Sequence, residues 1–328
     1  MKTNAFIAFM SRIIDYAGMF PPAGLNLEEA FGNYAGYVKS EDEWMLSRFV
    51  CTIKTFGNFF DTKNPARIIL DEHKGDNWIK FTILLTGGNS PKEFYINLEK
   101  DLKLLKKFRE ENFDSLSADS FEVKLPKELH RKSAGKSMLK FLNESALIFN
   151  DLGFYGCRMY IEPPVNNDYK YIFEKLAETI AESDHDGGNA GFKLRTGGVT
   201  PEVFPSPEQI ACALNVCNLN KIEFKATAGL HHPVRHYNDG VNTKMHGFLN
   251  VFGAGILALA NNLNEREIKY ILSDENPSNF IFDNDKFSWK DLRADSETIQ
   301  NARSNFVTTF GSCSFDEPRD DLKALGMF

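Results

Sequence analysis

Charged side chains occupy every second position in several short segments of the chain, with apolar residues between them. Successive side chains of a β-strand point to opposite faces of the sheet. Each segment therefore predicts a strand with one apolar face and one charged face. The segments are residues 121–125, 158–162, 192–195 and 222–226. Their charged residues are Glu122, Lys124, Arg158, Glu162, Lys193, Arg195, Glu223 and Lys225.

Strand-like and helix-like segments alternate from about residue 47 onward, which favours parallel strands joined by crossover helices. We predict strands at residues 48–54, 78–86, 121–125, 157–162, 191–196 and 221–227. Helices are expected at residues 90–112, 135–151, 168–183 and 206–216, and capping boxes open the first and the last of them. The leading architecture is a TIM-type (β/α) barrel. A doubly wound open sheet is the alternative, but its glycine-rich phosphate loop after the first strand is missing from the sequence.

The ends of the chain fit the repeating pattern less well. Residues 1–45 are expected to form an N-terminal helical arm, and residues 264–328 a C-terminal helical extension. We expect the last strand–helix units of the barrel to be irregular or incomplete. Within this part of the chain, residues 280–283 and 287–290 can pair as strands. No low-complexity linker divides the sequence, so we expect one barrel domain over residues 1–328.

Composition narrows the classes of function. The 328-residue chain is 42% hydrophobic and 25% charged, with a net charge of −7, as expected of a soluble globular protein. It has no dense basic patch for nucleic acid and no apolar run long enough for a membrane. We therefore expect a cytoplasmic protein whose five cysteines are buried, reduced thiols. Whether the chain forms a homo-oligomer stays open.

In a barrel, the charged faces of these strands point into the lumen, and the active site lies at the C-terminal strand ends. We expect the inward side chains nearest that end to lie at or just below the active-site face. Those side chains are Lys193, Arg195, Glu162, Lys225 and Lys124, with Lys54 and Thr86 added by the same alternation.

Two of the predicted strands resemble each other in sequence. Residues 192–197 read FKLRTG and residues 224–229 read FKATAG, so Lys193 and Lys225 are expected on adjacent strands. A lysine near another cation and away from water has a lowered pKa and can act as a neutral nucleophile. Its attack on a carbonyl compound would form a Schiff base.

These motifs resemble the class I aldolases of the deoxyribose-phosphate aldolase type, over residues 155–232 only. In that family a Lys-x-x-Thr-Gly strand carries the Schiff-base lysine, and a Lys-Ala-Ser-Gly-Gly strand supplies a second lysine that lowers its pKa. The first pattern matches here at Lys193, Thr196 and Gly197. The second is matched only approximately, because Leu230 replaces its last glycine.

The resemblance implies a carbon–carbon lyase that acts on a small carbonyl substrate without a cofactor. Lys193 is then the nucleophile, although the sequence leaves Lys225 open for that role. Lys225 and Arg195 would keep the nucleophile neutral, and Glu162 would be the general acid or base. Substrate binding is expected to involve Lys124, Gly197 and Gly198. In the competing interpretation, a non-catalytic binding barrel, Lys193 and Lys225 only form ion pairs with Glu162 and Glu122 in the lumen.

A cluster of histidines follows the sixth predicted strand, where barrel active sites are built. One alternative function is a metal-dependent lyase or hydrolase that uses His231, His232, Glu162 and His236, although the spacing fits no standard metal motif. The other interpretation is substrate or anion binding by His231, His232, Arg235 and His236.

Two further segments stand out. Residues 15–24 (DYAGMFPPAG) predict a rigid turn that either plugs one barrel end or carries Asp15 or Tyr16 into the site as a lid. Residues 311–318 (GSCSFDEP) lack the spacing of a serine-hydrolase elbow, so no nucleophile is assigned to Ser312 or Cys313. With residues 193–198 and 225–233, these segments also resemble a bacterial protein family, a resemblance that implies no activity.

Overall fold

The fold is a closed barrel of eight parallel strands, described here from a computed structural model. The structure describes residues 3–73, 79–111, 116–131, 133–185 and 189–328. The barrel strands, in chain order, are β1 (Ile14–Tyr16), β2 (Leu46–Thr52), β3 (Ile79–Leu84), β4 (Leu116–Lys124), β5 (Arg158–Glu162), β6 (Ala190–Arg195), β7 (Phe224–Thr227) and β13 (Val307–Ser312). The prediction of a TIM-type barrel is confirmed.

Helices surround the barrel and connect its strands. They are α1 (Asn4–Met10), α2 (Leu27–Tyr37), α3 (Ile53–Phe56), α4 (Pro65–Glu72), α5 (Pro91–Glu111), α6 (Gly135–Asp151), α7 (Tyr169–His185), α8 (Pro207–Asn220), α9 (Phe248–Asn261), α10 (Glu265–Leu272), α11 (Ser296–Asn305) and α12 (Asp316–Ala324). The capping box predicted at Ser206 opens α8, where Ser206 and Gln209 bond each other's backbone N–H. In the described part of the chain, no helix is both long enough and apolar enough to cross a membrane.

The barrel closes through strands at the two ends of the chain, which the sequence did not identify. β1 lies within residues 1–45 and pairs with both β2 and β13. The expectation of a purely helical arm is therefore wrong. The expected helical extension over residues 264–328 is also wrong, because it contains β13. It contains a three-stranded antiparallel sheet as well, formed by β10 (Phe280–Phe282), β11 (Lys286–Trp289) and β12 (Leu292–Asp295).

The strand pair expected from residues 280–283 and 287–290 is confirmed, since β10 pairs with β11. A short hairpin of β8 (His236–Asn238) and β9 (Thr243–Met245) also interrupts the last units. The predicted second strand began at residue 78, which lies outside the described residues. The fold therefore keeps regular strand–helix units from β2 to β7 and departs from them afterwards.

Aromatic side chains form much of the layer between the strands and the helices. The Phe49 ring packs edge-on against Phe31 and Phe81 at centroid distances of 5.2 Å and 5.9 Å. Phe56 and Phe108 continue the cluster at 5.0 Å. Because these apolar side chains face outward from the barrel, the alternate positions of the same strands face the lumen.

Candidate active site

A cavity of about 760 Å³ opens at the C-terminal ends of β3, β4, β5 and β6. Its wall includes the last residues of these strands and the loop that follows β3. Phe20, from the loop after β1, also lines it. The predicted site residues in this wall are Lys124, Glu162, Lys193 and Arg195. This is the end of the barrel at which barrel enzymes place their chemistry.

Lys193 lies between this cavity and the charged interior of the barrel. Its Nζ is 2.7 Å from Glu122 Oε2 and 2.9 Å from Glu162 Oε2. The Lys193 side chain is 8% exposed and that of Glu162 is 11% exposed, so both reach the cavity from a largely buried position. Two carboxylates on β4 and β5 therefore hold one ammonium group on β6.

Lys225 lies deeper in the barrel and outside the cavity wall. Its Nζ is 2.6 Å from Asp15 Oδ2, 2.9 Å from Glu122 Oε1 and 3.2 Å from Thr82 Oγ1. The strands β7 and β4 are not neighbours, so the contact with Glu122 crosses the lumen. The prediction that Glu122, Lys193 and Lys225 point inward is confirmed.

Asp15 completes this network as a residue of barrel strand β1, whereas the sequence predicted that its segment forms a plug or a lid. It is fully buried on β1 and accepts hydrogen bonds from Thr82 Oγ1, Thr309 Oγ1 and the backbone N–H of Arg48. A strand of three residues gives too little periodicity to recognise. The alternation of charged and apolar residues was nevertheless present, because Asp15 lies between apolar neighbours in the same way as the charged residues of the longer strands.

The charge state of Lys193 differs from the expectation that Lys225 and Arg195 keep it neutral. Burial opposes the charge on Lys193, but Glu122 and Glu162 outweigh it and raise the pKa of the ammonium group. Burial likewise favours a neutral Glu122, yet Lys193 and Lys225 lower its pKa to about 2. The resting site therefore holds an ammonium group between carboxylates, because two carboxylates lie within ion-pair distance of the Lys193 Nζ.

Three cations surround the mouth of the cavity. Within the described residues, Lys124, Lys127 and Arg195 have no carboxylate within ion-pair distance, and all three line the cavity. The Arg195 Nε donates a hydrogen bond to the carbonyl of Gly197 at 2.9 Å. The mouth is consequently more positive than the carboxylate-rich floor.

Gly197 and Gly198 lie in the loop after β6 but outside the cavity wall. A Cβ on Gly197 would lie 2.9 Å from the Cα of Gly229, so the two strand-end loops approach too closely for a side chain. Thr86 lines the cavity as expected and also bonds Asp101 of α5. Lys54 differs from expectation, because β2 ends at Thr52 and Lys54 is exposed in α3.

The histidines of the predicted cluster lie outside the cavity wall and pair with the C-terminal helix or with backbone, whereas His130, which the site prediction did not include, lines the cavity. His231 Nδ1 is 3.2 Å from Glu317 Oε2, and His232 contacts Asp321. His236 Nδ1 is 3.0 Å from the Val234 carbonyl oxygen.

Arg235 donates a hydrogen bond from Nη1 to His246 Nδ1 at 3.0 Å. Burial, with the nearby charge of Arg235, lowers the pKa of His246 to about 4. Glu162 is not brought to the cluster, so the proposed metal ligand set does not assemble. Over the described ranges, no group of three or more His, Cys, Asp or Glu side chains is arranged to hold a metal ion.

Comparisons with known proteins add little to this picture. No protein-family model matches the sequence, and no curated protein matches it either. Among solved structures, the fold is similar to a protein described as "QR15, an Aldolase". The identity is 12%, the match covers 68% of this chain and 83% of that chain, and the TM-score is 0.43. A likeness this weak carries no argument about activity.

Proposed function

We propose that the protein is a carbon–carbon lyase that forms a Schiff base between Lys193 and a small carbonyl substrate. The observation that carries the proposal is the position of Lys193. It is a buried amine at the floor of a cavity at the C-terminal barrel end, with carboxylates 2.7 Å and 2.9 Å away. An amine nucleophile needs both a place for the carbonyl compound and a group that exchanges protons with it.

Glu162 is the proposed proton-transfer residue because it shares the cavity wall with Lys193. It accepts a proton from the ammonium group, and the neutral amine then adds to the carbonyl carbon to give a carbinolamine. Glu162 returns the proton to the carbinolamine hydroxyl, which leaves as water and yields an iminium ion. Glu162, again a carboxylate, then removes the proton from a hydroxyl group on the β-carbon of the substrate. The bond between the α- and β-carbons breaks, its electron pair moves towards the iminium to give an enamine, and the β-carbon leaves as a second carbonyl compound. Glu162 returns its proton to the α-carbon of the enamine, and water hydrolyses the resulting iminium to release the first carbonyl product and the ammonium form of Lys193. The raised pKa of Lys193 makes the first proton transfer essential.

The cations at the mouth favour a carbonyl substrate that carries a negative charge. Lys124, Lys127 and Arg195 can contact an anionic end of the substrate, while the carbonyl carbon lies deeper at Lys193. Paired carboxylates on the floor would repel such an anionic end and so orient the substrate.

The second candidate is a non-catalytic binding barrel. It is favoured by the ion pairs that both lumenal lysines form, because such a network can hold the strands together without any chemistry. In that case the cavity would bind its ligand without a covalent intermediate.

Borohydride reduction distinguishes the two candidates, because it converts a Schiff base to a stable amine. We would measure intact mass after treatment with a panel of small aldehydes and ketones, charged and neutral. Wild type is expected to gain a substrate-sized mass that Lys193→Ala loses. The matched control is Lys140→Ala, which removes an exposed lysine of α6 outside the cavity wall and should keep the adduct.

Lys225→Ala, checked for folding by circular dichroism, tests the other lysine as nucleophile. An adduct that survives in Lys193→Ala but not in Lys225→Ala would contradict the assignment. No adduct from any carbonyl compound in wild type would favour the binding barrel.

A further inference from the structure

A second and larger cavity lies at the opposite, N-terminal end of the barrel. Its volume is about 1270 Å³, and its wall includes residues from β2 to β5 together with residues of α1 and α11. Small-molecule pockets typically enclose roughly 300–1,000 Å³. The cavity is therefore large enough for a metabolite, and the lumenal network of Lys225 and Glu122 separates it from the candidate active site.

Cations outnumber carboxylates in the wall of this cavity. Three carboxylates each have an arginine partner, and these pairs are Arg12–Glu43 at 3.4 Å, Arg48–Asp119 at 2.7 Å and Arg158–Glu223 at 2.8 Å. Two further cations of the wall, Lys80 and Arg303, are left without a carboxylate within ion-pair distance among the described residues. The excess is notable in a chain whose net charge is −7.

Among the described residues, Arg303 has hydrogen-bond acceptors but no carboxylate within ion-pair distance, and the charge of Asp15 acts on it only from further away. Its Nε donates to the Phe9 carbonyl at 2.9 Å, and its Nη2 donates to the Ser11 carbonyl at 3.2 Å. Its Nη1 contacts the carbonyls of Val307 and Thr308. Burial lowers the pKa of the guanidinium to about 9, so it remains charged at neutral pH. A charge that leaves water without an opposite charge favours an anion beside it.

Lys80 supplies the second cation from another part of the wall. It lies on β3 between the buried residues Ile79 and Phe81, and it is exposed to the cavity side of the strand. Burial opposes the charge on Asp119, but the hydrogen bond and the charge of Arg48, followed by the charge of Lys80, lower the pKa of Asp119. Hydroxyl groups of Ser117 and Ser120 add neutral donors to the same wall. Charged and neutral donors together are suited to phosphate or carboxylate oxygens.

We propose that this cavity is a binding site for a small-molecule anion, whose phosphate or carboxylate oxygens contact Lys80 and Arg303. The proposal is independent of the chemistry at Lys193, because the site lies at the other end of the barrel and shares no lysine with it.

Equilibrium dialysis at fixed ionic strength tests the proposal, with pyrophosphate and citrate as separate probes. Fixed ionic strength matters because salt screens exposed charges. We expect saturable binding of at least one probe to wild type. Lys80→Gln should weaken that binding by roughly tenfold to a hundredfold, the usual range for a hydrogen bond to a charged group. Binding of pyrophosphate alone assigns the site to phosphates, and binding of citrate alone assigns it to carboxylates.

Matched controls make the outcome decisive. Lys140→Gln removes an exposed lysine from α6, outside either cavity, and should leave the affinity unchanged. Arg303→Gln should weaken binding as Lys80→Gln does, and Lys80→Gln keeps the test valid if the arginine variant fails to fold. Unchanged binding in Lys80→Gln, no binding to wild type, or a loss confined to Lys124→Gln at the other cavity would overturn the proposal.

Discussion

Removal of the Lys225 ammonium group should strongly destabilise the barrel. In Lys225→Met the methionine keeps much of the side-chain length but leaves Asp15 and Glu122 without the cation they share, at 2.6 Å and 2.9 Å. The side chains of Lys225 and Asp15 are 1% and 0% exposed, so water cannot replace the lost partner. Breaking a buried ion pair in this way costs about 3–5 kcal/mol.

The lowered pKa of Glu122 supports a free-energy cost of the same magnitude. Its pKa falls from 4.5 to about 2, which corresponds to roughly 3 kcal/mol at about 1.4 kcal/mol per pH unit. Glu122 keeps Lys193 in the variant, so about half of this contribution is lost there. The remaining destabilisation comes from Asp15, which keeps only neutral donors from Thr82, Thr309 and the backbone.

The assay is urea unfolding followed by far-UV circular dichroism at pH 7 and at pH 4. A carboxylate with a lowered folded-state pKa contributes its full stability above its unfolded pKa and loses it as the pH falls towards the folded value. The difference between wild type and Lys225→Met should therefore be smaller at pH 4 than at pH 7. Lys124→Met, an exposed lysine, should change stability by no more than about 0.5 kcal/mol. If Lys225→Met and Lys124→Met lower the free energy of unfolding by the same small amount, the buried network does not stabilise the fold and the reasoning is refuted.

Three other changes test separate parts of the structure. Glu162→Gln should slow the formation of the borohydride-trapped adduct by about 100-fold, which is a usual contribution of a general acid or base. An unchanged rate would exclude Glu162 as the proton-transfer residue. Burial opposes the charge on His231, but Cys313 and Glu317 raise its pKa to about 9. The ion pair between His231 and Glu317 therefore stabilises the fold fully below pH 6.5, and this stabilisation is lost as the pH rises through 9. Glu317→Gln should accordingly lower the Tm at pH 6 but hardly at pH 10, and an equal loss at both would contradict this. Gly197→Ala should cost about 1–3 kcal/mol in urea unfolding, because its Cβ would meet backbone at 2.9 Å, whereas Gly36→Ala has open space and should not destabilise.

Much of the barrel could be predicted because alternation of charged and apolar residues is a local signal. β4, β5, β6 and β7 each carry this pattern, and their inward charges meet in the lumen as expected. The strands that close the barrel could not be predicted in the same way. β1 has only three residues, and β13 (VTTFGS) has six but carries no alternation of charged and apolar residues.

The chemistry of the site was harder to predict than its location. The sequence places Lys193 and Lys225 on adjacent strands with Glu122 and Glu162 as possible ion-pair partners, but it does not show that Asp15 of β1 also reaches Lys225. The structure places Glu122 and Glu162 at Lys193, and the sign of its pKa shift follows from those neighbours. The histidines were assigned to the site because their loop follows a barrel strand, yet their partners are residues of α12 and backbone carbonyls.

The central claim is that the amine of Lys193 reacts covalently with a carbonyl substrate. The most direct test is peptide mapping of the wild-type protein by tandem mass spectrometry after borohydride reduction in the presence of the carbonyl compound that gives an adduct. The account predicts one modified peptide, with the added mass on Lys193 and none on Lys124 or Lys225. Modification spread over exposed lysines, or localised to Lys225, would contradict it.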